Sequence, residues 1–260
     1  MDARKQQILE YISSKGFATP QELARQQRVA AITVRRDLAW LEQAGQLKRV
    51  HGGAIPCDSP LSVTHVNTRL RVATDEKRAI ARVAAGLVHA GERLFLDAGS
   101  TCRFLAEALP DNRDLTIITH SLDNVSALAH RPGFHLILLG GAFDPRLNAF
   151  ISPMTETALA AFHADTAFLG AVGVDEHGGV SSNSLSEERI KALMALQAGA
   201  TILLTDGSKL GTVAFRAVLP LSRVSCIITD AGASARICAA FRRKGIKVIK
   251  AQQHRNNPAF

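Results

Sequence analysis

Residues 32–54 constrain the fold of this chain more than any other segment. The apolar residues Val34, Leu38 and Leu41 recur at i, i+4 and i+7, which is the spacing of one face of an α-helix. Gly45 suits the end of that helix, because glycine adopts a left-handed backbone conformation without a side-chain clash. Apolar and basic residues then alternate up to a glycine pair. The segment therefore predicts a helix followed by a β-hairpin.

Basic and hydroxyl side chains occupy the positions that the apolar face leaves free. Arg35 and Arg36 fall in the first turns of the helix, and an arginine can bind a phosphate or a guanine edge through two hydrogen bonds. This arrangement predicts a helix in the major groove and a basic wing over the DNA backbone. The residues predicted to contact DNA are Thr33, Arg35, Arg36, Lys48, Arg49, His51 and Gly52.

Positive charge is concentrated near the N-terminus. Residues 1–55 contain 9 Lys+Arg and 5 Asp+Glu, a net charge of +4, and the same excess is spread over residues 56–260. A concentrated excess on a small domain is typical of proteins that bind the phosphate backbone of nucleic acids. The charge distribution therefore agrees with a DNA-binding N-terminal domain.

Several classes of protein are disfavoured by what the sequence lacks. No apolar run approaches the length of a membrane span, and the N-terminal MDARKQQ lacks the apolar core of a signal peptide. We therefore expect a cytoplasmic protein that does not interact with membranes. The 4 cysteines show no paired spacing, which disfavours a zinc site, a redox dithiol or a disulfide framework. Neither a metal, nor a cofactor, nor a catalytic residue is expected.

Prolines and caps divide the chain. Thr19, followed by Pro20 and Glu22, predicts the start of a second helix that precedes the basic one. Two prolines within residues 56–60 disfavour regular structure and mark a boundary. The predicted organisation is a winged helix-turn-helix domain at 1–56, a linker at 57–73 and a larger domain at 74–255.

From residue 93 onward, short apolar runs alternate with stretches long enough for helices. This pattern predicts an α/β domain with a mainly parallel β-sheet flanked by helices. In such sheets, ligands bind at the carboxyl ends of the strands. The predicted strands are 93–96, 115–118, 135–139, 167–171, 201–204, 225–228 and 247–249.

Polar and glycine residues follow several of these strands. Gly99, Ser100 and Thr101 stand where a strand gives way to a helix, so N–H groups, hydroxyls and the helix dipole can converge on an anion such as phosphate. Such a sequence is also a common helix cap, and a glycine pair is also a common turn. The residues predicted to bind an effector are Asp97, Gly99, Ser100, Thr101, Ser121, Gly140, Gly141, Asp206 and Lys209.

The order of these motifs resembles the DeoR family of bacterial transcriptional regulators. The N-terminal matches are T-V-R-R-D-L from Thr33, L-E from Leu41 and G-x-L-x-R-x-H-G-G-A from Gly45. The later matches are D-A-G-S-T at 97–101, T-H-S-L at 119–122, G-G at 140–141, F-L-G-A-V-G at 168–173 and D-G-S-K at 206–209. The resemblance implies a winged helix-turn-helix and a second domain, similar to ribose-5-phosphate isomerase, that binds a sugar phosphate.

Two positions depart from the family pattern. Ala30 stands where the family usually has serine before the recognition helix, so a capping hydrogen bond is either missing or supplied by a neighbour. His120 replaces asparagine in the T-N-S-L motif, which suggests altered effector selectivity or added pH dependence.

The hypothesis that follows is a repressor of carbohydrate or nucleoside catabolism genes, released from double-stranded operator DNA by a phosphorylated sugar. Because one winged helix makes few DNA contacts, a homo-oligomer, either dimer or tetramer, is expected. The alternative is an enzyme similar to sugar-phosphate isomerases or deaminases. Those isomerases carry acidic residues in a G-A-D-like segment, where this chain retains only Asp175, although Glu187 and Glu188 could approach a ligand. A ligand-independent architectural DNA-binding protein is a further alternative.

Overall fold

The computed structural model describes residues 3–15, 18–50, 53–56, 66–111 and 113–252. The chain divides into two compact units between residues 64 and 65. Residues 57–65 of the predicted linker lie outside the described residues. The rest of that linker differs from the prediction, because residues 66–71 form a helix whose first N–H, of Val66, donates to the Arg146 carbonyl at 2.8 Å. The exact domain bounds stay predictions.

The N-terminal unit has three helices and a two-stranded antiparallel sheet. Helix α2 begins with the expected cap, in which the Thr19 hydroxyl accepts the Glu22 N–H and the Glu22 carboxylate accepts the Thr19 N–H. Gly45 has a φ of 69° just after α3, as the sequence predicts. The elements are α1 (Ala3–Lys15), α2 (Pro20–Gln27), α3 (Ala31–Gln43), β1 (Leu47–Val50) and β2 (Gly53–Pro56). The core contains Ile8, Ile12, Ala18, Leu23, Val34, Leu38, Leu41, Leu47 and Ala54.

Helix α3 begins without a side-chain cap. Its N-cap residue, Ala30, has the extended backbone of a cap, with φ −66° and ψ 145°, but forms no side-chain hydrogen bond. We expect Ala30→Ser to raise the free energy of unfolding of this unit by about 1 kcal/mol, because a serine hydroxyl can accept an N–H of the first turn. Urea denaturation followed by the fluorescence of Trp40, the single tryptophan of the chain, measures the change.

Ala31→Ser is the matched control for this cap. Ala31 is the first residue of α3, where a serine hydroxyl is one position too late to act as the N-cap. The control is expected to leave the midpoint unchanged or slightly lower. Equal midpoints for Ala30→Ser and Ala31→Ser would show that the missing cap does not limit the stability of this unit.

The C-terminal unit is built on a seven-stranded parallel sheet in the order β14-β13-β11-β8-β3-β4-β5. The seven predicted strands are the seven strands of this sheet, which confirms the predicted fold class. Their bounds are β3 (Arg93–Leu96), β4 (Leu115–Thr119), β5 (Phe134–Leu138), β8 (Ala164–Gly170), β11 (Ala198–Leu204), β13 (Cys226–Asp230) and β14 (Lys247–Ala251).

Helices cover both faces of this sheet. Leu94 and Leu96 of β3 pack in one core with α5 to α7, whereas Phe95 packs in the other core with α8 to α10. Burial on both faces explains why the strands are continuous apolar runs rather than alternating ones. The helices are α4 (Val66–Arg71), α5 (Thr74–Ala85), α6 (Ser100–Ala108), α7 (Leu122–Leu128), α8 (Pro153–Ala160), α9 (Leu185–Leu196) and α10 (Ala235–Arg243).

Two small antiparallel sheets are not predicted by the sequence. Strands of two to four residues, several of them containing glycine, give no periodic apolar signal. Gly173 and Gly179 stand where an added Cβ would meet backbone oxygens at 2.6 and 2.3 Å, so these glycines permit close backbone contacts. One sheet has the order β12-β10-β9 and the other pairs β6 with β7. The bounds are β6 (Phe143–Asp144), β7 (Ala149–Phe150), β9 (Gly173–Asp175), β10 (Gly179–Ser182) and β12 (Arg216–Leu219).

Candidate functional site

Helix α3 exposes its basic side chains and buries its apolar face. Arg35 and Arg36 are exposed, and Thr33 is half-buried on the first turn. On β1, Lys48 is half-buried and Arg49 is exposed. The structure therefore brings these predicted DNA-contacting residues onto the helix and strand that the sequence assigned them to. His51 and Gly52, also predicted to contact DNA, lie outside the described residues.

The acidic side chains of this segment turn inward or toward the hairpin. Asp37 is buried, and its carboxylate accepts a hydrogen bond from Arg4 Nε at 2.7 Å and lies 3.6 Å from Lys5 Nζ. Glu42 accepts the backbone N–H of Arg49 at 2.9 Å. These contacts join α3 to α1 and to β1. The burial of Asp37 also removes its carboxylate from the exposed side of α3, where it would repel phosphate.

A polar cleft lies at the carboxyl ends of three central strands, β3, β8 and β11. Of the residues predicted to bind an effector, the cleft brings together Gly99, Ser100, Thr101 and Lys209. Asp97, Ser121, Gly140, Gly141 and Asp206 are not among its lining residues. The remaining lining residues are Arg69, Gly170, Ala171, Val172, Glu187, Lys191 and Leu204.

Asp97 forms a buried ion pair at the base of this region. Its carboxylate accepts hydrogen bonds from Lys191 Nζ and from the Gly170 N–H at 2.9 Å. Burial raises the pKa of Asp97, but Lys191 and the neighbouring His120 and Gly170 outweigh that effect and hold the pKa below its usual value. Burial lowers the pKa of Lys191, and Asp97 and Glu187 together raise it above its usual value. Both members of the pair are therefore charged.

Ser121 and the glycine pair have structural roles. Ser121 caps α7 by accepting the Asn124 N–H at 3.3 Å. The Gly140 carbonyl accepts a hydrogen bond from Thr155 at 2.9 Å. At Gly141, with φ 147°, an added Cβ would meet the hydroxyls of Thr155 and Ser152 at 2.3 and 2.4 Å. Glycine is thus required there for close packing against the start of α8.

Asp206 positions Lys209 at the edge of the cleft. The two side chains are joined at 3.1 Å between Lys209 Nζ and Asp206 Oδ2, and Ser208 also donates to the Asp206 carboxylate. Burial raises the pKa of Asp206, whereas Lys209 and Ser208 lower it, and the net pKa is below its usual value. The Asp206 carboxylate is therefore ionised and holds the lysine ammonium near the ligand space.

Two cleft residues were missed by the sequence analysis. Lys191 lies between the buried apolar residues Ile190 and Met194 and follows Glu187 by one helical turn. A lysine on an apolar helix face is the sequence signal that could have identified it. Arg69 falls in the segment predicted as a linker, where no periodicity assigned it to an element.

The carboxylates considered for an enzymatic role are dispersed. The Asp175 carboxylate accepts the N–H groups of His177 and Gly178, both at 2.9 Å, and is absent from the lining of the cleft. Glu188 pairs with Arg216. Glu187 alone of the three lines the cleft, where its carboxylate accepts a hydrogen bond from Ser182 at 3.0 Å. Within the described ranges, no group of three or more potential metal-ligating side chains is present.

His120 is buried next to the Asp97–Lys191 pair. Burial lowers the pKa of His120 to about 4, because desolvation of the charged ring outweighs the nearby Asp97 carboxylate. Its Nδ1 has no hydrogen-bond partner among the described residues. His120 is therefore neutral near pH 7.

This buried imidazole predicts acid sensitivity. Between pH 6.5 and about 4, the His120 imidazole binds a proton in the unfolded chain but not in the folded chain. The free energy of unfolding therefore falls as the pH is lowered. From pH 7 to pH 5 we expect a loss of about 2 kcal/mol that His120→Asn does not show. Urea denaturation of both proteins at the two pH values measures it. An identical loss in both proteins would contradict the low pKa of His120.

Comparison with known proteins assigns each of the two units to a known domain family. The DeoR-like helix-turn-helix domain matches residues 4–60, and the DeoR C terminal sensor domain matches residues 72–231. The chain belongs to the DeoR family. As a DeoR-family chain, it is a DNA-binding transcriptional regulator. None of its described helices is long and apolar enough to cross a membrane.

Relatives in the DeoR family match nearly the whole chain. The HTH-type transcriptional regulator YulB of Bacillus subtilis (strain 168) is 34% identical, over 94% of this chain and 95% of the relative. The HTH-type transcriptional repressor GlcR of the same organism is 30% identical, over 95% of each chain. The L-fucose operon activator of Haemophilus influenzae is 29% identical, over 88% of this chain and 92% of the relative. Full-length matches indicate that both units belong to one regulator.

Proposed function

We propose that this DeoR-family regulator represses genes of carbohydrate or nucleoside catabolism and that a phosphorylated sugar releases it from its operator. The observation that carries the proposal is the cleft at the carboxyl ends of β3, β8 and β11, where cationic side chains and a helix N-terminus meet. One relative is a transcriptional repressor, which supports repression, and another is an L-fucose operon activator, which supports only the regulation of carbohydrate genes.

The phosphate would bind at the start of α6. The N-cap residue of this helix, Gly99, supplies no side-chain cap, so the N–H groups of the first turn are available to an anion. Ser100 and Thr101 add hydroxyl donors, and Lys209 adds an ammonium group. Glu187 would accept hydrogen bonds from sugar hydroxyls.

The N-terminal unit would bind the operator through α3 and the wing. Arg35 and Arg36 would contact bases and phosphates in the major groove, while Lys48 and Arg49 would contact the backbone. A homo-oligomer would place two such units on two half-sites and multiply the affinity. Effector binding would lower operator affinity only if the effector prefers the conformation that binds DNA poorly.

A thermal-shift screen tests the effector. The full chain is heated with hexose, pentose and sugar-alcohol phosphates, each beside its unphosphorylated counterpart, because a specific ligand raises the unfolding midpoint by mass action. We expect at least one phosphorylated compound to raise the midpoint and its counterpart to have no effect. Lys209→Ala should reduce the shift. No shift with any phosphorylated compound would contradict the proposal.

Assays of turnover and of gene expression test the remaining parts. The same phosphorylated compounds, incubated with the purified chain, are expected to remain unchanged; sustained product formation would favour the isomerase or deaminase alternative. Deletion of the gene should raise transcription of its targets. A fall in their transcription would instead assign an activator.

A further inference from the structure

We propose that Arg69 is an anion-binding residue of the cleft and that an effector phosphate bound to it holds helix α4. The inference rests on the proposed function, since it names a further residue and a mode of regulation for the same site. Arg69 lines the cleft together with the start of α6 and Lys209. It lies in the part of the chain that follows the segment linking the two units.

Two donor atoms of the Arg69 guanidinium have no acceptor among the described residues. Its Nε and Nη2 atoms are buried, and neither has a partner among the described residues. Buried donors without acceptors are costly, and for a charged group the cost is larger. A guanidinium also offers its donors in a fixed fork that matches two oxygens of a phosphate. An incoming phosphate would therefore satisfy donors that the protein itself leaves unsatisfied.

The charges around the cleft point to the same class of ligand. Lys191 is neutralised by Asp97, and Lys209 is joined to Asp206. Glu187, the carboxylate among the lining residues, accepts its hydrogen bond from Ser182. No ion pair to Arg69 is present within the described ranges. The cleft thus combines a cation lacking a carboxylate partner with the positive end of α6, which favours an anion.

Hydrogen bonds from Lys77 and Thr74 hold the C-terminal end of helix α4, the helix that carries Arg69. The ammonium of Lys77, which is buried, donates to the carbonyls of Arg69 and Val72. The Thr74 hydroxyl donates to the Leu70 carbonyl at 3.1 Å. Burial and the nearby Lys209 lower the pKa of Lys77 to about 8. Lys77 therefore adds a further cation near Arg69 while it holds the end of α4.

The position of α4 in the chain gives Arg69 a regulatory consequence. The last described strand of the DNA-binding unit, β2, ends at Pro56, and α4 begins at Val66, so nine residues separate these two elements. A phosphate that bridges Arg69 and the start of α6 would favour the conformation in which α4 is docked. Because α4 continues directly from the linking segment, occupancy of the cleft would act on that segment through the chain itself.

Arg69→Met tests the assignment in the full-length protein. It removes the charge and the donors but keeps an unbranched side chain. With inorganic phosphate, and with the sugar phosphate that gives the largest thermal shift, we expect binding to weaken by about 10- to 100-fold in isothermal titration calorimetry. Arg69→Lys keeps the charge without the fork and should lose less. Arg236→Met, an exposed arginine of α10, is the matched control and should bind as the wild type does.

A second readout separates binding from a merely structural role. In phosphate-free buffer, the unfolding midpoint of Arg69→Met should equal or exceed that of the wild type, because the substitution removes a buried charge without a partner. A lower midpoint together with undiminished phosphate binding would overturn the inference. Undiminished binding by both Arg69 variants would overturn it while leaving the proposed function intact. If the wild type binds no phosphorylated compound, the proposed function fails and the inference fails with it.

Discussion

Replacing Arg35 and Arg36 together with alanine is expected to weaken binding to the operator on the order of 1,000-fold, since each arginine contact contributes about 1–3 kcal/mol. Both side chains are exposed on α3, so their removal leaves the apolar face of the helix in the core. The operator can be selected from a pool of random duplexes with the wild-type protein. Fluorescence anisotropy then measures the affinity of the variant at several salt concentrations.

The salt dependence adds a second criterion to this prediction. Each lost phosphate contact lowers the slope of log K against log salt by about one, so the variant should show a shallower slope. The control carries Arg236→Ala and Arg243→Ala, which remove the same charge from exposed positions on α10. Wild-type affinity in the Arg35/Arg36 variant, or an equal loss in the control, would contradict the assignment of α3 as the recognition helix.

Lys191→Met is expected to lower the free energy of unfolding by about 3–5 kcal/mol, because it leaves the Asp97 carboxylate buried without its counter-charge. Asp97 would retain the hydrogen bond from the Gly170 N–H, which compensates only part of that charge. Urea denaturation followed by far-UV circular dichroism measures the loss. Arg189→Met is the control, because Arg189 lies on the same helix with a side chain that is 74% exposed.

A double variant separates the buried charge from the packing. Asp97→Asn combined with Lys191→Met removes both charges and leaves an amide oxygen that can still accept the Gly170 N–H. Much of the lost stability should therefore return. A double variant as unstable as Lys191→Met alone would show that the lysine acts through packing rather than through its charge. A loss below 1 kcal/mol in Lys191→Met would contradict the ion pair.

The sequence predicted the elements whose signal is local. The stripe of Val34, Leu38 and Leu41 identified α3, and the continuous apolar runs identified the seven strands, because burial on two faces leaves little room for polar residues. Thr19 predicted the start of α2 through a capping box within four residues. These features depend on contacts between near neighbours or on burial alone.

Features set by distant contacts could not be predicted in this way. Asp97 and Lys191 are 94 residues apart, so the carboxylate predicted to bind an effector instead pairs with a lysine on helix α9. Helix α4 has six residues, and its docking depends on Lys77 and on the Arg146 carbonyl rather than on its own periodicity. Arg69 was missed for the same reason.

The cleft draws its residues from the ends of three adjacent central strands, from the segments that follow those strands and from helices α4 and α9. Leu204 and Lys191 line the cleft and are also buried, whereas Val172 and Lys209 line the cleft without belonging to either apolar core. Substitutions at Val172 can reshape the ligand space without touching either core or the Asp97–Lys191 pair. A lining residue outside the cores lets one scaffold acquire a new ligand preference without a loss of core packing.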